Sequence, residues 1–408
     1  FECTVLRALA IIVRTSLSIP TTFLSFNKFF ITICVSTIQP NTIPLLYLFR
    51  VIAGIGAAGL TVDTPLIISE VISPNNRGKA FGINLFFVYL GMSLAPFLGG
   101  VLTTDFGWQS IFWVMVPFII LNMIVLLIIP DEWYKGRGDS FDWKGSIVFA
   151  LGIIMFIYGF SNIISLYGLI FAIIGIILLV GFAKLELNLE QPVFKIGLFH
   201  NKRFLSSNLA SLLSYVATFA VTTVLAYYLQ YIMGWSAAQS GFLLVISPLI
   251  MALSSPISGY LSDKVDPQKL TTLGMGLVTI GLFILVFLTK TTPVYLLIIS
   301  LLFQGLGYGI FASPNNNTIM SSVPENDTPM ASSALATMCT IGETLSMSVF
   351  TVIFAILMGN VVISASNFSG LILSTKAIFI ILTVVSIFAA YASYIGVKSQ
   401  DKLTTKSE

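Results

Sequence analysis

The sequence predicts an all-α polytopic membrane protein built from two helical halves. Three observations carry this. Hydrophobic residues make up 56% of the 408 and charged residues only 9%, against about 25% charged in soluble domains. The apolar residues gather into long runs, and roughly 20 residues of helix cross a hydrocarbon core of about 30 Å. Lys and Arg fall in alternate loops between those runs, as the positive-inside rule requires of a multi-pass chain.

Residues 1–41 are the least regular. A run at 17–38 is expected to form one membrane helix, although Asn27 and Lys28 sit in its middle. Arg7 and Arg14 interrupt what precedes it, and Pro40-Asn41 marks a turn. Eleven clearer runs follow, at 43–69, 81–103, 109–129, 144–162, 165–187, 204–232, 238–261, 268–289, 294–314, 331–358 and 371–396. The chain starts at Phe1, so it is expected to begin inside a longer protein.

One set of loops holds Arg77 and Lys79; Lys135, Arg137 and Lys144; Lys184, Lys195, Lys202 and Arg203; Lys264 and Lys269. The tail adds Lys398, Lys402 and Lys406, while the opposite set holds only Lys290 and Lys376. The first set and the C-terminus are therefore expected to be cytoplasmic. The loop at 323–328 has no basic residue and departs from the rule. The longest connection, near 188–203, contains Pro192 and mixed charges and divides the chain. The expected organisation is an incomplete N-terminal helical bundle at 1–130 and two linking membrane helices at 131–190. A cytoplasmic connector at 191–203, a C-terminal six-helix bundle at 204–398 and a cytoplasmic tail at 399–408 complete it.

Composition also excludes functions. Cys3, Cys34 and Cys339 lie in or near apolar stretches without CxxC spacing, and His200 is the one histidine. No disulfide framework, metal site or cofactor is implied. HExxH, GxSxG and P-loop patterns are absent, so nothing supports an enzyme or a nucleotide-driven pump. The expected partners are small amphipathic molecules, cationic ones among them, protons and the lipid bilayer, with no nucleic acid.

The runs break the apolar rule at specific places. The first clear run carries Arg50 and Asp63, and the run 331–358 carries Glu343. A charge at the centre of a membrane helix costs about 2.5–3.5 kcal/mol on insertion scales, so it usually faces a cavity or a partner. Gly54 and Gly56 give the first run a face that a neighbouring backbone can approach closely. Pro96 sits among Gly91, Ala95, Gly99 and Gly100, which predicts a bendable helix packed tightly along one seam.

At this point the chain resembles the major facilitator superfamily. Arg50…Gly54-x-Gly56 is similar to that family's fourth-helix motif. Gly91-x-x-x-Ala95-Pro96-x-x-Gly99-Gly100 is similar to its fifth-helix antiporter motif, with Ala95 in place of the usual glycine. Asp105-Phe-Gly107-Trp108, Ile111-Phe112 and Pro117 resemble the next loop and helix. In the second half, Tyr228-Leu229-Gln230, Gly234-Trp-Ser, Gly241 and Pro248 resemble the ninth and tenth helices of the fourteen-helix drug/proton antiporter branch. Gly259-Tyr-Leu-Ser-Asp263-Lys264 resembles the second-half copy of the GxxxDR loop, and Gly305-Leu-Gly307-Tyr-Gly309 with Pro314 and Asn315 resembles the twelfth helix. The resemblance covers roughly 42–398. It implies a two-bundle fold with two extra helices between the halves and with the first two helices and the first GxxxDR loop missing.

Two readings stand for each singled-out residue. Arg50 is an electrostatic element of proton coupling, as the resemblance implies, or a structural charge on neighbouring carbonyls. Asp63 lies thirteen residues beyond Arg50, about 20 Å along a helix, so the two cannot pair within it. Asp63 is either a proton carrier raised in pKa by desolvation or a capped group near the helix end. Glu343 carries protons or recognises cationic substrate, in a polar seam with Thr340, Thr344 and Ser348, or it clasps two helices. Asp263 and Lys264 are a conformational latch by resemblance, or a solvated pair. Tyr228, Gln230 and Tyr231 line a substrate path with neighbouring aromatics, or gather at the membrane interface. Asn315 faces the cavity or ends a broken helix.

The expected function is a secondary active transporter that exports amphipathic drugs against proton entry by alternating access. The alternatives are proton-coupled export of a metabolite or lipid-like compound, and an inactive truncated remnant.

Overall fold

The computed structural model describes residues 43–107, 109–128, 142–187, 195–359 and 368–404. The expected helix at 17–38 and the loop carrying Lys135 and Arg137 lie outside them. Among the described residues all regular structure is helical, and each of the eleven runs becomes a helix. Among the described residues nine helical stretches are long and apolar enough to cross a membrane.

Three helices come from the first half: α1 (Ile43–Val71), α2 (Arg77–Phe106) and α3 (Ser110–Ile128). The linking pair is α4 (Trp143–Ser161) and α5 (Leu166–Glu186). A 3-10 turn, Ile196–His200, leads into the rest. That part comprises α6 (Lys202–Thr218), α7 (Val221–Tyr227), α8 (Ala237–Leu244), α9 (Ile246–Ser262), α10 (Pro267–Val286), α11 (Val294–Ser321), α12 (Thr328–Met358) and α13 (Phe368–Thr404).

Local sequence sets the helix starts. Asn201 accepts hydrogen bonds from the amides of Arg203 and Phe204. Ser236 and Gln239 form a capping box, and Asp266 caps α10 ahead of Pro267. Each device satisfies amides that a helix start leaves without partners. At the end of α1, Arg77 donates to the carbonyls of Ser69 at 2.6 Å and Ile72 at 3.2 Å. The arginine of the short basic loop thus closes the helix before it.

Two membrane runs are not single helices. The run 204–232 bends between α6 and α7 and ends in a π-helical turn, Tyr228–Ile232. The run 238–261 is divided into α8 and α9 at Val245. The first break is braced from outside: the Ala220 amide donates to Ser346 Oγ of α12 at 2.9 Å. Gly342 lets the same two helices meet, since a Cβ there would stand 2.6 Å from the Leu212 carbonyl oxygen.

One apolar core runs through α6–α13, centred on Tyr228, Leu282, Leu285, Phe311, Phe379 and Leu382. The glycines of Gly305-Leu-Gly307-Tyr-Gly309 serve two neighbours. Gly305 and Gly309 admit α9, and Gly307 admits α10 with its Cβ position 2.5 Å from the Gly274 carbonyl oxygen. Shed side-chain volume lets backbones approach where lipid gives no hydrophobic drive for association.

Candidate functional site: the joint between the halves

Helices α1 and α2 of the first half pack against α9, α11 and α12, and one of these contacts lies at the end that carries Arg77, Lys79, Lys264 and Lys269. At this basic end Asp263 reaches out of the α9–α10 turn to the start of α2. Its carboxylate accepts from the amides of Gly78 and Lys79, both at 2.8 Å. An anion at a helix N-terminus meets unpaired amides and the positive end of the macrodipole. Ser313 of α11 donates to the Gly78 carbonyl at 3.0 Å. Beneath this, Gly82 and Gly259 allow α2 and α9 to touch: a Cβ on Gly259 would lie 2.4 Å from the Gly78 oxygen and 2.8 Å from the Gly82 Cα. Lys264 does not join the contact and stands 4.2 Å over the Tyr260 ring.

A second contact joins α1 to α12. Ser332 Oγ donates to the Val62 carbonyl, and Ala58, Val62 and Ala336 form a small buried cluster. Gly54 is buried on the same helix, so the small-residue run of α1 does receive a neighbour. The side chains of Arg50 and Gly56 lie outside the described part. Asp63 follows Val62 directly and is half-buried at this crossing.

At mid-depth the joint is aromatic. Tyr89 of α2 meets Tyr308 of α11 edge to face at 6.2 Å, and Tyr215 of α6 meets Tyr308 at 5.8 Å. Tyr308 is 4% exposed, enclosed by the rings of Tyr89, Tyr215 and Phe311. Cys339 and Glu343 stand one turn apart on α12, within electrostatic reach of Tyr215 and Tyr308. Glu343 is fifteen residues from either end of α12. Neither Tyr89 nor Tyr308 was legible as a site residue, because an isolated tyrosine in an apolar run reads as core or interface.

Several expected placements change. In the seam on α12, Thr344 and Ser348 donate to carbonyls one turn back, and Ser348 bonds Ser161 of α4. Tyr228 does not line an open path. It is fully buried, and its hydroxyl donates to the Thr289 carbonyl at 2.6 Å. Asn315 is also buried and ties α11 to α6 through the Ser207 carbonyl and Ser211 Oγ. Gln230 and Tyr231 remain exposed. Tyr231 stacks on Tyr227, which also touches Phe350 and Phe354 of α12.

The antiporter-like stretch lies in the later part of α2. α2 continues through Pro96 without a break. Gly91, Ala95 and Pro96 are exposed, and Cβ positions on Gly91 and Gly99 meet open space among the described residues. A tight glycine contact of α2 lies at its start, at Gly78 and Gly82. No side-chain detail is described for Gly100.

The described residues thus form a helical membrane protein whose two halves meet through α2 with α9 and α1 with α12, with Glu343 at the middle of α12. The chain belongs to the Major Facilitator Superfamily, whose family model matches residues 14–347 and 207–408. It is therefore a membrane transporter and not an enzyme. It is 32% identical over 318 residues to the riboflavin transporter RibZ of Clostridioides difficile, a match covering 77% of this chain and 69% of that one. Multidrug resistance protein 3 of Bacillus subtilis is 26% identical over 321 residues, covering 76% and 62%. Among solved structures, the human organic anion transporter MFSD10 superposes with a TM-score of 0.66 at 11% identity, covering 96% and 81%. The proton:xylose symporter XylE superposes with a TM-score of 0.60 at 16% identity, covering 96% and 82%.

Proposed function

We propose that this chain is a proton-coupled exporter of small amphipathic compounds, cationic ones among them, working by alternating access in the plasma membrane with its C-terminus in the cytoplasm. The observation that carries this reading is the placement of Glu343. It lies at the middle of a membrane helix, within electrostatic reach of Tyr215 and Tyr308, and Tyr308 in turn meets Tyr89 of the first half. A carboxylate there can take up a proton when the joint opens to one side and release it to the other. Proton entry supplies about 2.3 kcal/mol per charge per 100 mV. Aromatic rings beside an anion suit cations with flat apolar bodies.

In this reading Arg50, Asp63 and Glu343 serve proton coupling. Asp263 with Gly78, Gly82 and Gly259 forms the cytoplasmic latch, and Gln230 and Tyr231 with Tyr227 line the outer approach. The likeness to multidrug resistance proteins supports efflux of drugs. The likeness to a riboflavin transporter favours a second reading, export of a flat heteroaromatic metabolite.

The test is proton movement in vesicles carrying the protein, started by adding ethidium or riboflavin to separate samples. Ethidium-driven proton movement that Glu343→Gln abolishes supports the first reading. Riboflavin-driven flux without any ethidium response favours the second. No proton movement with any compound, alongside sustained substrate flux, would remove proton coupling.

A further inference from the structure

We propose that the hairpin α4–α5 belongs to the C-terminal half and moves with it. This rests on the alternating-access reading and adds to it.

The hairpin is a rigid piece. Gly145, Gly152 and Gly159 recur every seven residues on α4, and Gly168 and Gly175 do so on α5. A Cβ on Gly159 would stand 2.1 Å from the Ala172 amide nitrogen, and one on Gly175 would stand 2.3 Å from that of Phe156. Backbones this close leave no slack for the two helices to slide.

The rigid piece docks on α12. Ser161 Oγ and Ser348 Oγ are 2.7 Å apart. Ser348 already donates to the Thr344 carbonyl, so Ser161 is the donor between them. Ile341 of α12 packs into the hairpin's own core of Phe149, Ala150, Ile153, Ile157 and Phe182. Thr340, Thr344 and Ser348 are all buried. At about 100° per residue they share a face of α12 with Ile341, whereas Cys339 and Glu343 lie to the other side. The hairpin thus covers hydroxyls that would otherwise meet lipid, and it holds the stretch of α12 that carries Glu343.

The connector is fastened to the same body. Lys195 pairs with Asp327 at 2.9 Å, and Asn201 Nδ2 donates to the Ser322 carbonyl at 2.8 Å. Leu198 and Phe199 pack on a cluster that includes Ile319, Met320 and Leu335 and that also takes in Phe81 and Ile68 of the first half. Residues 195–201 are thus tied to the ends of α11 and α12.

The test measures distances between spin labels in nanodiscs, on full-length protein with its cysteines replaced by serine. Labels go on three exposed positions: Ile177→Cys on α5, Phe388→Cys on α13 and Phe87→Cys on α2. Each pair is compared with and without Asp263→Asn, which releases the basic-end latch. The expected result is an unchanged, single Ile177–Phe388 distribution, with Ile177–Phe87 and Phe388–Phe87 shifting together. A shifting Ile177–Phe388 distance beside a fixed Ile177–Phe87 distance would overturn the assignment while leaving alternating access intact. A Phe388–Phe87 distance that stays fixed would count against alternating access itself, and the inference would fall with it. A Ser161→Cys/Ser348→Cys cross-link gives an independent check: it should form and leave the Phe388–Phe87 shift in place. Loss of that shift on cross-linking also sinks the proposal.

Discussion

Asp263 caps a helix to which it does not belong. Its carboxylate holds the first amides of α2 at Gly78 and Lys79, 185 and 184 residues away in the chain. Charge, amide direction and helix dipole all favour this contact, and it exists only while the two halves touch at the basic end. The neutral isostere Asp263→Asn keeps the shape and loses the charge. It should weaken this closed state by about 0.5–2 kcal/mol, the usual range for a helix cap. Faster thiol labelling of a cysteine placed at Ser255, under the latch, would report the loosening. Unchanged labelling would mean that the cap does not hold the joint.

The glycines under the latch should be intolerant in a selective way. Gly259→Ala puts a methyl group against backbone on α2, which cannot step aside as a side chain can. The expected result is a loss of several degrees in melting temperature or an opened joint, from overpacking of about 1–3 kcal/mol. Gly276→Ala on α10 meets open space and should be neutral or stabilising, because alanine favours helix by about 1 kcal/mol over glycine. Equal behaviour of the two variants would contradict the close approach of α2 and α9.

Ser346→Ala removes the acceptor for the Ala220 amide at the α6–α7 bend. Both residues are fully buried, so the amide is left unsatisfied at a cost of about 1–3 kcal/mol. Hydrogen exchange should rise around Ala220 more than in α10 or α13. A uniform rise, or none, would show that the bend does not depend on α12.

Tyr308→Phe should separate stability from activity. Its hydroxyl is buried among Tyr89, Tyr215 and Phe311, so its removal deletes one desolvated polar group and should change the melting temperature little. If that hydroxyl meets the transported compound, flux should fall in the same variant. Lower stability with normal flux would place Tyr308 among ordinary core residues.

Lys195 and Asp327 explain the loop that departs from the charge pattern. The 323–328 loop has no basic residue of its own, and Asp327 takes its positive partner from the connector. The lysine side chain is 51% exposed, so the pair is worth about 0–1 kcal/mol. Exchanging the charges, Lys195→Asp with Asp327→Lys, should restore what either single reversal loses in thermal stability. A double variant no better than the singles would mean that the two side chains act separately.

The sequence by itself determined the class, the helical runs and the alternation of loops, because these follow from hydrocarbon thickness and charge transfer cost and need no knowledge of neighbours. It also singled out Gly259, Asp263 and Glu343, since a glycine, a loop acid and a membrane-depth acid each carry a local signal. Tertiary structure alone decided what these residues meet. Gly91 and Gly259 look alike in sequence, yet one faces open space among the described residues and the other a backbone. Tyr228 and Tyr231 are three residues apart, yet one is sealed in the core and the other is 43% exposed. Tyr89 and Tyr308 acquire significance only when α2 and α11 are brought together. Packing direction in a bundle depends on which helices adjoin, and an apolar run in lipid leaves that choice unwritten because nearly every side of it is hydrophobic.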